Sequence, residues 1–346
     1  MMKILHLALV LAGLCGGFPA TAQSSQDRPF EPQNFAHLGA RIERAYAVEP
    51  DRAMLENALI QKSRALELDR PRFDQCLDEA DENPAFRESL AGITGAVWNC
   101  VSRASSSEDH ALYAHDLTQA LLEALGQGNE LIGPESLDAL SAQAPGERAR
   151  ECCALSVTDD RIVLRIANGY GQLPTQEWRK VIENYRPARA VVLDLRDDTG
   201  GALPELAELA DLFLSSGIIV ETVGRSPREN ARYSARLPDA TNGLPIVVLV
   251  SERTTQGGEI LAASLQDNGR ARILGVQTSG QSLIRSVYPI GRHYAFTLVT
   301  AVTRRPSGQV IAGNGVTPDC RIDPARADLV DWAVRYAKGE VLCPLD

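Results

Sequence analysis

The feature that most constrains the fold is a pair of apolar strands that each run into a glycine turn and then a helical pattern. Ala190–Leu195 reads AVVLDL and precedes Gly200–Gly201. Leu244–Val250 reads LPIVVLV and precedes Gly257–Gly258. Continuous β-branched runs are typical of central parallel strands that are covered on both faces. A turn that enters a helix exposes backbone N–H groups at the positive end of the helix dipole, which is where an enzyme can hold a developing oxyanion.

Strand and helix patterns alternate through the second half of the chain. The further predicted elements are a strand at RIVLRI, a helix at TQEWRKVIENY, a crossover helix at Leu203–Leu214, strands at GIIVETV, RILG and Tyr294–Thr300, a helix at Gly257–Asp267, and a C-terminal helix at Asp323–Lys338. This alternation predicts an α/β fold with right-handed βαβ connections.

The preceding part of the chain is predicted to be helical. Apolar residues recur at helical spacing from Phe35 onward, and such patterns continue to Leu125. We therefore predict a helical region at residues 23–125, a linker at 126–155, and an α/β core with a C-terminal helix at 156–346.

Residues 1–22 have the pattern of a signal peptide. Lys3 supplies a positive charge, an apolar run follows, and Ala20-Thr21-Ala22 forms a small-residue cleavage site. The run is too short to span a bilayer, and Leu14 is too large to precede a lipidated Cys15. We expect an exported protein, periplasmic or secreted, after cleavage near Ala22.

Six cysteines remain after that cleavage, an even number that favours disulfides in an exported chain. Cys76–Cys100 and Cys320–Cys343 are plausible pairs, although six cysteines allow 15 pairings. The adjacent Cys152 and Cys153 rarely bond to each other, because that geometry is strained. No metal or other cofactor is expected, since the chain has no paired CxxC and only five histidines.

The charge balance narrows the range of partners. The formal net charge is -10 and there is no basic run, so nucleic acid and anionic membrane surfaces are unfavourable partners. No stretch after the leader is long and apolar enough for a membrane span. A homo-oligomer is left open.

Four sequence motifs resemble those of the tail-specific, or C-terminal processing, serine protease family, and they occur in the same order and at similar spacing. They are LDLRDDTGG (193–201), VSERTTQGGEI (250–260), LQDNGRARILGVQTSGQS (265–282) and RPSGQVIAGNGVTPD (305–319). The resemblance covers about residues 155–322. It implies a ClpP/crotonase-like βαβ spiral core, with oxyanion-hole backbone positions at Gly200, Gly201 and Gly257 and supporting residues Glu259 and Asp267.

Both residues of the family's catalytic dyad are replaced. The resemblance places the serine nucleophile three residues before Glu259, where this chain has Gln256, and the lysine base at Gln281. A side-chain amide has no titratable proton near neutral pH, so it is neither a nucleophile nor a base. No lysine lies between Lys180 and Lys338. The chain is therefore predicted to have the protease fold without the family's protease chemistry.

Other polar residues of the motifs allow a relocated active site. The candidate nucleophiles are the hydroxyls of Thr254, Thr255, Ser279 and Ser282, and the candidate bases are His293, Glu259 and Asp267. Their simpler interpretations are structural: an ion pair for Asp267, for which Arg270 is the nearby candidate, a hairpin surface for His293, and turn or helix-end hydrogen bonds for Asp194 and Arg196. Asp197 and Asp198 are expected to be polar turn residues rather than metal ligands.

Three functions remain after these arguments. The first is an inactive family member that binds peptide or protein segments, for which addition to a sheet edge is the physical mode. The second is a serine-type peptidase with a relocated nucleophile, and the third is a structural scaffold. Many family members carry a PDZ domain, but the interval from Leu125 to Ile162 is too short for one.

Overall fold

The computed structural model describes residues 29–82, 84–142, 153–167 and 173–344, so the leader and Cys152 lie outside the described residues. The chain divides into two compact units. The helical unit comprises residues 1–143, 224–229 and 285–301, and the sheet unit comprises residues 144–223, 230–284 and 302–346. The predicted α/β fold class, with helices preceding a sheet core, is confirmed.

The helical unit is built from short amphipathic helices around an aromatic core. Several helices begin at an Asp or Ser whose side chain accepts a backbone N–H, as Asp51, Asp69 and Ser89 do. The helices are Gln33–Ala45, Arg52–Arg64, Arg70–Asp81, Leu90–Arg103, His110–Ala124 and Pro134–Ala142. The fully buried Phe35 and Phe73 belong to their shared core. In this unit, strand β1 (Glu130–Ile132) pairs antiparallel with residues 295–297 of strand β10 (Tyr294–Arg304).

The sheet unit contains a six-stranded sheet in the order β11-β8-β7-β4-β3-β2. Its strands are β2 (Cys153–Thr158), β3 (Arg161–Ala167), β4 (Ala190–Asp197), β7 (Ile246–Val250), β8 (Ala271–Gly275) and β11 (Cys320–Arg321). All neighbours are parallel except β2, which is antiparallel to β3. Strands β5 (Ile218–Val223) and β6 (Ala231–Ser234) pair antiparallel, and β9 (Leu283–Ile290) pairs with β10.

The central strands of this sheet are buried on both faces, as their continuous apolar sequences predict. In β4, Val191 and Leu193 face one core, which also holds Trp178 and Leu261, whereas Val192 faces a second core with Trp332. The helices of the unit are Thr175–Asn184, Leu203–Ala210, Gln256–Asp267 and Leu329–Ala337. Within the described residues, no helix is long and apolar enough to cross a membrane.

Two predicted helices are shorter than expected. The crossover helix ends at Ala210 rather than Leu214, because Leu212 and Phe213 donate to carbonyls three residues back and tighten the chain into a turn. The C-terminal helix begins at Leu329 rather than Asp323, since Asp323 accepts the Ala325 N–H in a local turn. The predicted linker at 126–155 contains β1 and the helix Pro134–Ala142.

Each unit is cross-linked by a disulfide of its own. Cys76–Cys100 joins two helices of the helical unit with a Cα–Cα distance of 5.4 Å. Cys320–Cys343 joins β11 to the segment after the last helix of the sheet unit, at 5.7 Å. Both plausible pairs are therefore confirmed. Cys153 is also disulfide-bonded.

Candidate functional site

The motif residues meet around the first turn of the helix Gln256–Asp267, hereafter the site helix. Strands β4, β7 and β8 are parallel neighbours, so their carboxyl ends share one edge of the sheet, where open α/β sheets place ligands. The glycine turn (198–201) follows β4, the site helix follows β7, and the 278–282 loop follows β8. All three segments belong to the sheet unit.

Gln256, at the predicted nucleophile position, has a backbone conformation that its residue type disfavours. Its φ is 43°, in the left-handed region. The other described non-glycine residues with positive φ are Asp159 and Asn242, whose short polar side chains tolerate that region better. A sterically disfavoured backbone of this kind costs on the order of 1–3 kcal/mol and is held in place by the surrounding packing.

The glycine turn packs directly against Gln256. Gly200 has φ 92°, and a Cβ atom built on it would lie 2.7 Å from the Gln256 Cβ and 2.8 Å from the Gly257 nitrogen. Only glycine, which has no Cβ, allows the backbone at residue 200 to come this close to Gln256 and Gly257. The Gly200 N–H donates to Asp198 Oδ1 at 2.7 Å, whereas Gly257 lies in the first helical turn, where N–H groups have no intrahelical acceptor. Gly201, the last residue of the glycine turn, is partly buried. Their oxyanion-hole roles stay predictions.

Glu259 joins the site helix to the 278–282 loop. Its side chain is fully buried, and its carboxylate accepts four hydrogen bonds from that loop. The donors are Thr278 Oγ1 (2.5 Å), Gly280 N (2.6 Å), Gln281 N (2.9 Å) and Ser282 Oγ (2.8 Å). Four donors fill the four lone-pair positions of an ionised carboxylate. The structure thus shows how the predicted supporting residue positions the loop.

This network brings the two dyad positions into one site. The Gln281 backbone N–H donates to the Glu259 carboxylate, and Ser282 Oγ, whose one hydrogen is shared with Glu259, lies 3.0 Å from the Gln256 carbonyl oxygen. Gln256 is partly buried and Gln281 is exposed. Within the described ranges, neither glutamine amide group has a hydrogen-bond partner, so both are available to a ligand.

Asp198 is the site residue that sequence reasoning missed. It was predicted to be a polar turn residue, but its side chain is fully buried. Oδ1 accepts the Gly200 N–H, and Oδ2 has no hydrogen-bond partner within the described residues. Burial raises the pKa of Asp198 to about 7, against a smaller lowering by the Gly200 N–H. The sequence feature that could have indicated its burial is its position between an apolar strand and a pair of glycines.

The alternative nucleophiles are engaged in structural bonds or lack a base. Thr254 is buried and donates to the Leu195 carbonyl at 2.8 Å. Ser279 is exposed, and its hydroxyl donates to the Thr254 carbonyl at 3.3 Å. Ser282 approaches the Glu259 carboxylate but is 1% exposed, which closes it to substrate. Thr255 is partly buried at the helix N-cap and has no side-chain cap bond.

Of the three alternative bases, Glu259 is occupied by its four loop donors, and Asp267 and His293 have other surroundings. Asp267 forms an ion pair with Arg305 at 2.6 Å, rather than with Arg270, which pairs with Asp239. Burial raises the pKa of Asp267, but the bonds from Arg305 and Ser307 outweigh it and hold that pKa below its usual value. His293 lies in the exposed turn between β9 and β10, in the helical unit.

The other charged residues at the carboxyl end of β4 form ion pairs. Asp194 and Arg196 form a bidentate pair, and Arg196 also donates to the Pro324 carbonyl at 2.7 Å. Asp197 bridges Arg165 and Arg253. Within the described part of the chain, no group of three or more His, Cys, Asp or Glu residues could hold a metal ion.

The fold and the site together define an α/β protein whose candidate site lies at the carboxyl ends of neighbouring parallel strands. Residues 163–322 match the model of Peptidase family S41. A carboxy-terminal-processing protease of Bartonella bacilliformis is 39% identical over 135 residues, which are 39% of this chain and 31% of that protein. This part of the chain is therefore similar to the C-terminal processing proteases, the family that its motifs resemble.

Solved structures agree on the fold. A photosystem II D1 C-terminal processing protease aligns with a TM-score of 0.59 at 16% identity, covering 88% of this chain and 96% of that one. A lipoprotein from Streptococcus agalactiae aligns at 0.55 and 12% identity, covering 91% and 98%. The chain spans about a third of the length of the Bartonella relative.

Proposed function

We propose that this chain is a catalytically inactive relative of these proteases that binds peptide or protein segments at the surface around Gln256 and Gln281. Each side-chain amide offers both donors and an acceptor, which suits it to the N–H and C=O groups of a peptide backbone. The Gly257 N–H at the start of the site helix offers a further donor to a ligand carbonyl or carboxylate.

The observation that carries this proposal is the left-handed backbone of Gln256. A disfavoured conformation at a residue that cannot act as a nucleophile is retained beside a fully bonded Glu259 network. A pocket that had lost every role would gain stability by relaxing this residue. The retained geometry supports ligand binding without bond cleavage.

Peptide binding and cleavage are to be measured together on the purified protein. The probes are an unfolded casein-type substrate, a fluorophosphonate serine label, and fluorescent peptides with free C-termini. We expect peptide binding without cleavage or labelling. Gln281→Glu should weaken binding of acidic peptides at least about tenfold by charge repulsion, whereas Gln309→Glu, an exposed control in the same unit, should not.

Restoring the dyad tests the same pocket. Gln256→Ser with Gln281→Lys should produce slow cleavage, and Gln256→Ala with Gln281→Lys should not. Cleavage by the unaltered protein that is lost in Ser279→Ala or Thr255→Ala would establish a relocated nucleophile. Absence of both binding and cleavage would favour a scaffold role.

The proposal places this protein outside the cytoplasm. Residues 1–22 have the composition of a cleavable export signal, and disulfides such as Cys76–Cys100 persist in oxidising compartments. Mass spectrometry of the protein from its native cell envelope should find an N-terminus near Gln23. An intact leader on a cytoplasmic protein would contradict export.

A further inference from the structure

We propose that Asp198 is a positioning residue that sets the pH range of ligand binding, because it holds the glycine turn closed against Gln256 in its neutral form and weakens that closure when ionised. The ligand part of this inference rests on the proposed peptide binding. The movement of the turn does not, so the two can fail separately.

The geometry connects Asp198 to both sides of the pocket. Its side chain is 0% exposed. Oδ1 accepts the Gly200 N–H at 2.7 Å, and its backbone carbonyl accepts the Thr255 N–H at 2.9 Å, just before the site helix begins. Asp198 therefore ties the glycine turn to the helix turn that carries Gln256.

The second carboxyl oxygen is buried in a tightly packed place beside Gly258 and Thr254. A Cβ atom built on Gly258 would lie 3.1 Å from Asp198 Oδ2 and 2.9 Å from the Thr254 methyl carbon. Oδ2 has no hydrogen-bond partner within the described residues. A protonated Oδ2 loses little in such a place, whereas a charged one lacks the donors that it would have in water.

Most charged groups on the surrounding elements have partners other than Asp198, and Glu205 is the exception described below. Asp197 pairs with Arg165 and Arg253, Arg196 pairs with Asp194, and Glu259 of the site helix accepts its four loop donors. Glu205, on the helix that follows the turn, also has a buried oxygen without a partner in the described residues. None of these groups contributes a charge interaction to the shift of Asp198, which burial dominates.

The direction of the pH effect follows from the raised pKa. The pKa is about 7 in the closed turn, against 3.8 for a solvated aspartate. The closed turn is therefore most favoured below pH 3.8 and loses that advantage as pH rises through the closed-state value near 7. The ratio of open to closed turn should rise by at most about tenfold per pH unit across this window and level off above it.

The ordered pocket is the form that a peptide should bind. Opening of the turn removes Gly200 from Gln256 and so competes with the ligand. Peptide affinity should then be higher at pH 5 than at pH 7.5, by about fivefold or more if the open turn becomes the main form.

Hydrogen exchange across the glycine turn tests the inference without a ligand. Protection of the Gly200 and Gly201 amides, corrected for intrinsic exchange rates, is to be measured from pH 4.5 to 8. We expect protection to fall with pH in the unaltered protein and in Asp197→Asn, which removes a partly buried carboxylate one residue away that pairs with Arg165 and Arg253. Asp198→Asn, which cannot ionise, should keep protection independent of pH.

A direct titration covers the case in which the variant does not fold. The carboxyl carbon of Asp198 is to be followed by NMR in the unaltered protein. A midpoint below pH 5, or the same exchange profile in Asp198→Asn, would overturn the inference. Failure of every peptide to bind at any pH, with the expected exchange profile, would overturn the proposed function and leave the pH-dependent turn standing.

Discussion

The two segments that flank the first turn of the site helix treat a buried carboxyl group in opposite ways. The 278–282 loop surrounds Glu259 with four hydrogen-bond donors. The glycine turn gives Asp198 one donor and leaves its Oδ2 without a partner in the described residues. Both side chains are fully buried.

The comparison shows that donor number, rather than burial, decides what a buried carboxyl group does. With its lone pairs filled, Glu259 is a structural link whose removal should loosen the pocket. With one donor, Asp198 has its pKa raised to about 7, so its charge changes in the physiological range. Asp267 is a third case, because its main partner is a charged group, the Arg305 guanidinium, rather than a neutral hydrogen-bond donor.

Glu259→Gln should have the largest effect, because the new NH₂ group faces donors and cannot accept from them. Loss of two charge-assisted bonds, at about 1.5–3 kcal/mol each, predicts a fall of roughly 3–6 kcal/mol in the free energy of unfolding. Urea unfolding at pH 7 measures it. Glu252→Gln, an exposed change on the preceding turn, should cost under about 0.5 kcal/mol. A loss below about 1 kcal/mol for Glu259→Gln would show that the four contacts are not a coupled network.

Asp198→Asn should have a smaller effect of the opposite sign. Between pH 4 and pH 8 the unaltered protein should lose up to about 4 kcal/mol of unfolding free energy relative to this variant, because the closed-state pKa is about 7 and the solvated value 3.8. The loss should be complete near pH 7 and absent below pH 3.8. Parallel stability curves for the two proteins would mean that Asp198 is solvated and that the contrast with Glu259 is wrong.

The sequence predicted the fold, because the fold depends on periodicity and on motifs in order, and it grouped Gln256, Glu259 and Gln281 but missed Asp198. Apolar β-branched runs placed the central strands, and the register of Glu259 placed Gln256 and Gln281 in one site. Both plausible cysteine pairs are present. The strands follow from local sequence patterns, and the grouping of Gln256 with Gln281 follows from the resemblance to the family.

The sequence did not predict which groups would be partners across the fold. Asp267 was expected to pair with Arg270, three residues away, but it pairs with Arg305, 38 residues away. The burial of Asp198 and the left-handed backbone of Gln256 depend on the approach of the glycine turn to the site helix. Such contacts arise from tertiary packing, which residue spacing does not encode.

Gln256→Gly should have the smallest effect and should stabilise the protein. Glycine adopts φ 43° without the steric cost that glutamine carries, and the gain should exceed its greater flexibility in the unfolded chain. We expect about 1 kcal/mol higher unfolding free energy, measured by urea unfolding. Gln281→Gly, at an exposed residue without positive φ, should instead lose about 0.5–1 kcal/mol. If peptide affinity falls in Gln256→Gly while stability rises, Gln256 is maintained for binding, through its amide or its backbone. If both rise, the conformation only reflects packing, and the observation that carries the proposed function is lost.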